Sequence, residues 1–500
     1  MCAIPAADPG FRRRSWLYSE RETGLAIFVI SCLLYFWRRA PFLGQWDSFD
    51  YLKAVVTHQF SPLGVGRPVF IGYNIALWEV LKRIFHLEPR QAESVVLGGV
   101  IVLGGLGVWI FRHLVRQLLP PAAGRMALLA LILSPTYAFY SGCVLTEVPM
   151  FVAVVAAASA LWGTQTQRRL STEVAAGLLW GVAVGMREQA LVLLPAYAWI
   201  IWVSRSDFSA RRRAIAAFVL SSLFVILLPA VILYLRDPSA FIPRIQTWLN
   251  AIPTGQSYFR MNVQASLLWT FGACPGAWLA LAGAWLWRLR TRKAAEQKEP
   301  GPLSGRAAVA GVLCCLVLPV AALWRDADVQ IHPRYAMIAL PAALILSATL
   351  YRRWAPSRRA VVAWAVLQVL AFALVQVGTQ PFRVAQFERR DYARLVLDTV
   401  RGPALLIAGG NGAAFDYYRS IGLRPDWQIA WSGWDWDPEK IRTMMQDCWA
   451  RAVPVYLCDG PWTWLNLEGE RLDLEFLLRG CTKEPAAPGL KQILPRKIHR

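Results

Sequence analysis

Residues 174–203, VAAGLLWGVAVGMREQALVLLPAYAWIIWV, are apolar except for Arg187-Glu188-Gln189 near the centre. A helix that crosses the hydrocarbon core of a bilayer needs about 20 predominantly apolar residues. This segment is too long for one comfortable span and rather short for two. It is either one interrupted helix or a hairpin of two short helices, and the choice decides on which side of a membrane every later loop lies.

The whole chain has the composition of a protein that crosses a membrane many times. Its 500 residues are 56% hydrophobic, and its mean hydropathy is +0.37. The first apolar stretch follows Arg12–Arg14, but Arg38-Arg39-Ala40-Pro41 follows it instead of a small-residue cleavage site, so we interpret it as a retained anchor. We predict spans at about 23–42, 93–111, 126–142, 147–163, 174–187, 188–203, 214–235, 266–287, 307–324, 336–351 and 360–378.

The net charge of +21 does not indicate nucleic-acid binding, because the arginines lie in short clusters between apolar stretches. Loops of this kind are typical of the cytoplasmic side of membrane proteins. If residues 174–203 form a hairpin, all these clusters share one side, whereas a single helix would place the later clusters opposite. The charges therefore favour eleven spans in the plasma (inner) membrane, a cytoplasmic N-terminus and an extracytoplasmic tail.

The sequence predicts two domains of different character. Residues 1–378 form a mainly α transmembrane bundle with a long first outer loop, 43–92, whose apolar segment Val69–Phe85 is expected to lie in the membrane interface. Residues 379–500 form an extracytoplasmic domain. There, helical segments alternate with short apolar runs, which predicts a small α/β domain with a parallel sheet. The helices are expected at 384–400, 412–421 and 438–451, and the strands at 404–408, 428–430 and 453–457.

Two acids are expected at the outer ends of helices. Asp47 opens the first outer loop, and Glu147 begins the span at 147–163. Either acid could simply stabilise the first turn of its helix, where a carboxylate satisfies free amide groups. Ionisable residues at the rim of a membrane bundle are nevertheless functional candidates, because their charge is costly there.

Two cations are expected on the same side. Arg187 lies at the tip of the 174–203 hairpin, and Arg334 begins the span at 336–351. The ordinary alternatives are a local pair between Arg187 and Glu188 and an interfacial arginine beside Tyr335. Two carboxylates and two guanidinium groups in one pocket would suit transfer chemistry on a phosphate-linked lipid. The cations would neutralise a phosphate leaving group, and a carboxylate would deprotonate the acceptor.

At these residues the sequence resembles the lipid-phosphate-sugar-dependent glycosyltransferases of the GT-C superfamily, which include protein O-mannosyltransferases and the aminoarabinose transferase of lipid A. The resemblance covers roughly residues 20–378, and the Arg67-Pro68 pair departs from it, because many relatives have His-Pro there. Its motifs, in chain order, are Asp47 with Tyr51, Gly66–Phe70, Thr146–Pro149, Gly181–Glu188, and Arg334-Tyr335 with the apolar run through Pro341.

The resemblance implies an inverting transfer of a sugar from a polyprenyl-phosphate carrier to a lipid, glycan or protein acceptor outside the cytoplasm. Asp47 would be the general base, and Glu147 would help to position groups or share a divalent metal with Asp47. The residues implied in binding the lipid phosphate and the donor are Arg187, Arg334, Tyr335, Tyr51 and Arg67.

Two other functions are compatible with a polytopic chain. A secondary transporter places charges at broken helices near the midplane and often has inverted repeats, whereas this sequence has no evident internal repeat. A non-catalytic membrane scaffold could use its tail to bind a partner. Transfer of labelled sugar from a lipid carrier would separate the enzyme from both.

Overall fold

The computed structural model describes residues 9–42, 46–162, 169–205, 207–254, 272–290, 333–355, 357–409, 411–431, 437–460 and 474–495. Over these ranges the chain is mainly helical and carries one five-stranded sheet near its C-terminal end, as predicted. The helices of the first part are α1 (Pro9–Arg38), α2 (Trp46–Thr57), α3 (Pro62–Val65), α4 (Pro68–Phe85), α5 (Ala92–Leu118), α6 (Pro121–Ile132), α7 (Pro135–Ser141), α8 (Glu147–Trp162), α9 (Leu170–Met186) and α10 (Leu194–Ser204).

The second part continues with helices and ends in the sheet. Its elements are α11 (Phe208–Arg236), α12 (Pro238–Thr254), α13 (Pro275–Arg290), α14 (Leu340–Trp354), α15 (Arg358–Gly378), α16 (Gln380–Thr399), β1 (Ala404–Ala408), α17 (Gly412–Ser420), β2 (Trp427–Trp431), α18 (Pro438–Ala450), β3 (Val455–Cys458), β4 (Cys481–Ala487) and β5 (Leu490–Pro495). Three-residue-per-turn (3₁₀) helices lie at Pro89–Gln91, Glu188–Leu193 and Pro333–Ile338.

Several described helices have the length and apolar character of membrane spans. Three regions qualify individually, at Pro89–Leu118, Phe208–Arg236 and Arg358–Thr399, and α6 with α7 qualifies as a bent pair. Helix α11 exposes a long row of leucine, valine and phenylalanine side chains, as expected for a surface that faces lipid. A membrane protein is therefore supported. The number eleven stays a prediction, and the span expected at 307–324 lies outside the described residues.

The span predicted at 126–142 consists of two helices, with a bend of 53° between α6 and α7. Pro135 cannot continue α6, since it lacks an N–H group and its ring clashes with the preceding turn. Ser134 caps the new helix, its Oγ accepting from the amide of Tyr137 at 3.2 Å. The same hydroxyl donates to the carbonyl of Ala273 at 2.6 Å, which fixes the bend to a distant segment.

The segment 174–203 is divided at Arg187, where the sequence is interrupted by charge. Helix α9 ends at Met186, Arg187 is extended with φ −159°, and a 3₁₀ turn then leads into α10. The indole N–H of Trp180 donates to the carbonyl of Ala190 at 3.1 Å, so the turn is tied back to α9. The chain therefore forms two short helices here, and Arg187 is buried at their junction.

The sheet near the C-terminal end has the strand order β2-β1-β3-β5-β4. Strands β1, β2 and β3 are parallel, at the places where the sequence indicated strands. The prediction of a parallel sheet is confirmed for these three strands and wrong for the other two, because β5 pairs antiparallel with both β3 and β4. The hairpin of β4 and β5 was not predicted, because β4 lacks the alternation of apolar and polar residues that indicates a strand. Its sequence is CTKEPAA, and it is largely exposed.

Helix α17 of the tail packs directly on α2 of the segment 43–92. The ring of Phe49 lies 6.0 Å from that of Tyr417 and 6.4 Å from that of Tyr418. An ion pair of 2.5 Å joins Nζ of Lys53 to Oδ2 of Asp416. One face of α2 is therefore held by the tail, which leaves another face for the bundle.

Gly142, after α7, contacts the backbone at the end of α1. Its carbonyl accepts from the amide of Ala40 at 2.8 Å, and a Cβ atom at this position would lie 2.6 Å from Cα of Arg39. We expect Gly142→Ala to destabilise the protein by about 1–3 kcal/mol, because two backbones would have to move apart. Thermal unfolding of the purified protein in detergent measures this loss.

Gly98→Ala in α5 is the matched control. Nothing lies within 4 Å of the added Cβ atom there, so the change should be neutral or slightly stabilising, since alanine favours a helix. Equal melting temperatures for the two variants would contradict the close approach at Gly142.

Candidate active site

The two predicted acids meet at one guanidinium group. Asp47 is the second residue of α2 and is 4% exposed, and Glu147 is the first residue of α8 and is fully buried. Nη1 of Arg334 donates to Oδ2 of Asp47 at 2.9 Å, and its Nε lies 3.5 Å from Oε1 of Glu147. The 3₁₀ helix at Pro333–Ile338 therefore brings Arg334 between the beginnings of two helices.

Arg187 approaches the same carboxylate from the end of α9. Its Nη1 donates to Oε1 of Glu147 at 2.5 Å and to Oγ1 of Thr146 at 2.9 Å. Its Nε donates to Oε1 of Gln189 at 2.7 Å. The side chain is 1% exposed, so its charge depends on these partners rather than on water.

A second pair of side chains adjoins this cluster. Tyr51 follows Asp47 by one helical turn on α2, and its hydroxyl accepts from Nη1 of Arg67 at 2.7 Å. The Tyr51 ring packs edge-on against Phe70 at 5.1 Å. Nη2 of Arg67 lies 3.6 Å from Oε1 of Glu188. Glu188 is therefore an ion-pair partner of Arg67 in the segment 43–92, in addition to any local attraction to Arg187.

The cluster is balanced in charge. It contains three arginines, Arg67, Arg187 and Arg334, and three carboxylates, Asp47, Glu147 and Glu188. A charge taken out of water needs such compensation, because the desolvation of an unpaired ion costs several kcal/mol. The buried atoms of the cluster without a hydrogen-bond partner among the described residues include Nε of Arg67, Oε2 of Glu147 and Oε2 of Glu188. Such atoms are places where a polar ligand could bind.

Asp50 belongs to different surroundings, although it is only three residues from Asp47. Its carboxylate accepts a short hydrogen bond from the hydroxyl of Ser61, which links α2 to the beginning of α3. Burial raises the pKa of Asp50 to about 6. Asp50 therefore joins two parts of the segment 43–92, whereas Asp47 contacts the arginine cluster.

Among the described residues, the donor set does not fit a resident divalent metal. The described residues contain no group of three or more His, Cys, Asp and Glu side chains placed to hold one. Asp47 and Glu147 are instead bridged by the guanidinium of Arg334, and a cation between them would compete with it for the same oxygens. Arginine supplies the compensating charge here.

Some residues of the cluster were not predicted. Thr146 directly precedes Glu147 in the sequence, and Gln189 lies two residues after Arg187. This closeness to predicted site residues was the one sequence feature that could have indicated them. Tyr335 lies in the 3₁₀ helix beside Arg334, but its side chain is outside what the structure describes.

No protein-family model and no curated protein matches the sequence. Solved structures do match. ArnT from Cupriavidus metallidurans bound to undecaprenyl phosphate has a TM-score of 0.61 at 12% identity, over 95% of this chain and 98% of that one. The apo state of the same protein has a TM-score of 0.60 at 13% identity, with the same coverage. The chain has the fold of ArnT. The resemblance to the GT-C glycosyltransferases inferred from short motifs is confirmed at the level of architecture.

The pairing of Glu147 with Arg187 makes a prediction about stability. Glu147→Gln should destabilise the protein by about 3–5 kcal/mol, because it leaves Arg187 buried without its carboxylate. Arg187→Met should also destabilise, and the double variant should lose clearly less than the sum of the two. Thermal unfolding in detergent gives the three values.

The exposed pair of Glu88 and Arg90, 2.6 Å apart, supplies the control. Glu88→Gln should change stability by less than about 1 kcal/mol, because solvent screens this pair. Strictly additive effects of Glu147→Gln and Arg187→Met would show that the two side chains do not compensate each other.

Proposed function

We propose that this protein is a membrane glycosyltransferase that moves a sugar from a polyprenyl-phosphate carrier to an acceptor outside the cytoplasm. The observation that carries the proposal is the balanced arginine–carboxylate cluster around Arg334, at helix ends of a bundle with the ArnT fold. ArnT was solved bound to undecaprenyl phosphate, and guanidinium groups are the protein groups best suited to hold a phosphate.

Asp47 is the general base of the proposed reaction. The acceptor hydroxyl attacks the anomeric carbon of the sugar and Asp47 takes its proton. As the new carbon–oxygen bond forms, the bond from the anomeric carbon to the phosphate oxygen breaks, and the carrier leaves as polyprenyl phosphate with the bonding electron pair. Attack from the side opposite the phosphate inverts the anomeric centre.

Arg334 and Arg187 stabilise the phosphate that leaves. Both guanidinium groups already donate to carboxylates. A phosphate that enters the site therefore competes with these carboxylates for the N–H donors. When Arg334 turns towards the phosphate, Asp47 loses this hydrogen bond, and its carboxylate is then open to the acceptor hydroxyl.

The remaining residues position this machinery. Glu147 lies between Arg187 and Arg334 and fixes both guanidinium groups. Tyr51 and Arg67 form the wall contributed by the first outer loop, where Nε of Arg67 is available to a donor oxygen. Tyr335, beside Arg334, keeps the donor-binding role that the resemblance implies.

The tail and the active site share one side of the membrane in this proposal. The support is the contact of α17 with α2, because α2 also carries Asp47. With a cytoplasmic N-terminus and eleven spans in the plasma (inner) membrane, residues 1–378 form the transferase domain. Residues 379–500 form the extracytoplasmic α/β domain, beside which a lipid, glycan or protein acceptor enters.

Asp47→Asn tests the assignment of the base. It keeps the size of the side chain and can still accept a hydrogen bond from Arg334, but it cannot take a proton at neutral pH. Transfer of labelled sugar from polyprenyl phosphate by the purified protein in liposomes should fall by roughly 10²–10⁴. Binding of the donor should change much less.

Asp50→Asn is the control on the same helix, since an amide oxygen can still accept from Ser61. It should retain most of the transfer activity. A sensitive Asp50 with a tolerant Asp47 would overturn the assignment of the base. Movement of a solute across the liposome membrane without any sugar transfer by the wild type would favour a transporter.

A further inference from the structure

A second group of arginines lines a small pocket at the end of α1. The pocket lies between the C-terminal end of α1, helix α7 and the beginning of α16, and its cationic residues are Arg38, Arg39 and Arg383. Nη2 of Arg383 lies 3.5 Å from the carbonyl of Trp37, so α16 is close to the last turn of α1. Phe139 of α7 closes another side.

These three cations differ from those of the active-site cluster, because no carboxylate compensates them. No Asp or Glu of the described ranges comes within 4 Å of the three guanidinium groups. Arg38 is 9% exposed, and its Nε is a buried donor without a hydrogen-bond partner, as is Nε of Arg383. A buried cation without a counter-charge is costly, so the pocket is organised for an anion from outside the chain.

The chemical type of the donors favours a phosphate group. Guanidinium groups bind phosphate through paired N–H donors, and several around one pocket can surround its oxygens. Gly142, after α7, holds the backbone beside Arg38 and Arg39 through the hydrogen bond to Ala40. Part of the pocket is therefore fixed before a ligand arrives.

The surface next to the pocket indicates that this phosphate belongs to a lipid. The turns of α1 before Arg38 expose large apolar side chains: Leu33 at 64%, Phe36 at 54% and Trp37 at 58%. An apolar helix face that ends in Trp and then Arg is typical of the boundary between acyl chains and headgroups. A ligand with acyl chains along this face would place its phosphate at the arginines.

We propose that Arg38, Arg39 and Arg383 bind the phosphate group of a membrane lipid, at a site separate from the one around Arg334. The acyl chains lie along the Leu33 and Phe36 face of α1. The enclosed space of about 10 Å³ holds no more than a water molecule, so the phosphate lies at the mouth of the pocket. Arg38 and Arg383 donate from the pocket wall, and the exposed Arg39 closes over the headgroup. Helix α7 separates the two sites: Phe139 lines the lipid pocket, and the end of α7 leads to Glu147.

The experiment is a titration of the delipidated full-length protein in detergent with dioleoylphosphatidic acid, followed by native mass spectrometry. We expect one tightly bound lipid on the wild type and an affinity at least tenfold weaker for the double variant Arg38→Gln/Arg383→Gln. Arg212→Gln/Arg213→Gln on α11 removes the same charge from exposed positions and should change the affinity less than twofold. Equal affinity of wild type and the Arg38/Arg383 variant would overturn the proposal.

Two further probes separate lipid from free phosphate. Dioleoylglycerol, which lacks the phosphate, should not occupy the site, and millimolar inorganic phosphate should not displace the phosphatidic acid. Displacement by inorganic phosphate would overturn the assignment to a lipid. Binding of dioleoylglycerol with equal affinity would overturn the role of the arginines.

Melting temperatures distinguish a ligand site from a structural role. Without lipid, Arg38→Gln/Arg383→Gln should melt at the same temperature as wild type or higher, because it removes charges that lack a partner. With phosphatidic acid, only the wild type and the Arg212/Arg213 control should gain stability. A lower melting temperature in the absence of lipid, with an unchanged gain on adding lipid, would show that the arginines only support the fold.

Discussion

The contact of Arg334 with both Asp47 and Glu147 is the interaction on which the rest of the site depends. It joins the beginning of α2, the beginning of α8 and a 3₁₀ helix almost three hundred residues from Asp47 in sequence. Carboxylates that are this well buried require a nearby cation, since water cannot compensate them. The need to neutralise charge thus brings distant segments together, and it leaves the groups used in the proposed sugar transfer in one place.

The protein has two groups of arginines near each other, and they differ in how their charge is balanced. Around Arg334 every guanidinium group has a carboxylate, so a phosphate ligand must exchange partners to bind. At Arg38 and Arg383 no carboxylate of the described residues is close enough, so an anion can bind without displacing one. The compensated arginines around Arg334 suit a substrate that binds and is released in each reaction cycle. The uncompensated arginines at Arg38 and Arg383 suit a lipid that stays bound.

Local patterns in the sequence predicted the features that depend on local forces. The beginning of α8 at Glu147 followed from an acid and a proline in the first turn, and the break at Arg187 followed from charge within an apolar segment. The parallel strands followed from short apolar runs. Contacts between residues far apart in the sequence follow no regular spacing. The structure alone therefore revealed the ion pair of Glu188 with Arg67 and the proximity of Arg38 to Arg383. The hairpin of β4 and β5 was missed because β4 is polar and contains Pro485.

An experimental structure of the protein with undecaprenyl phosphate is the most direct test of the central claim, that the cluster around Arg334 receives the carrier phosphate. The account predicts phosphate oxygens at about 3 Å from guanidinium nitrogens of Arg334 or Arg187, and a longer distance between Arg334 and Asp47 than the present 2.9 Å. A phosphate bound away from both arginines, with the contact between Arg334 and Asp47 unchanged, would contradict it.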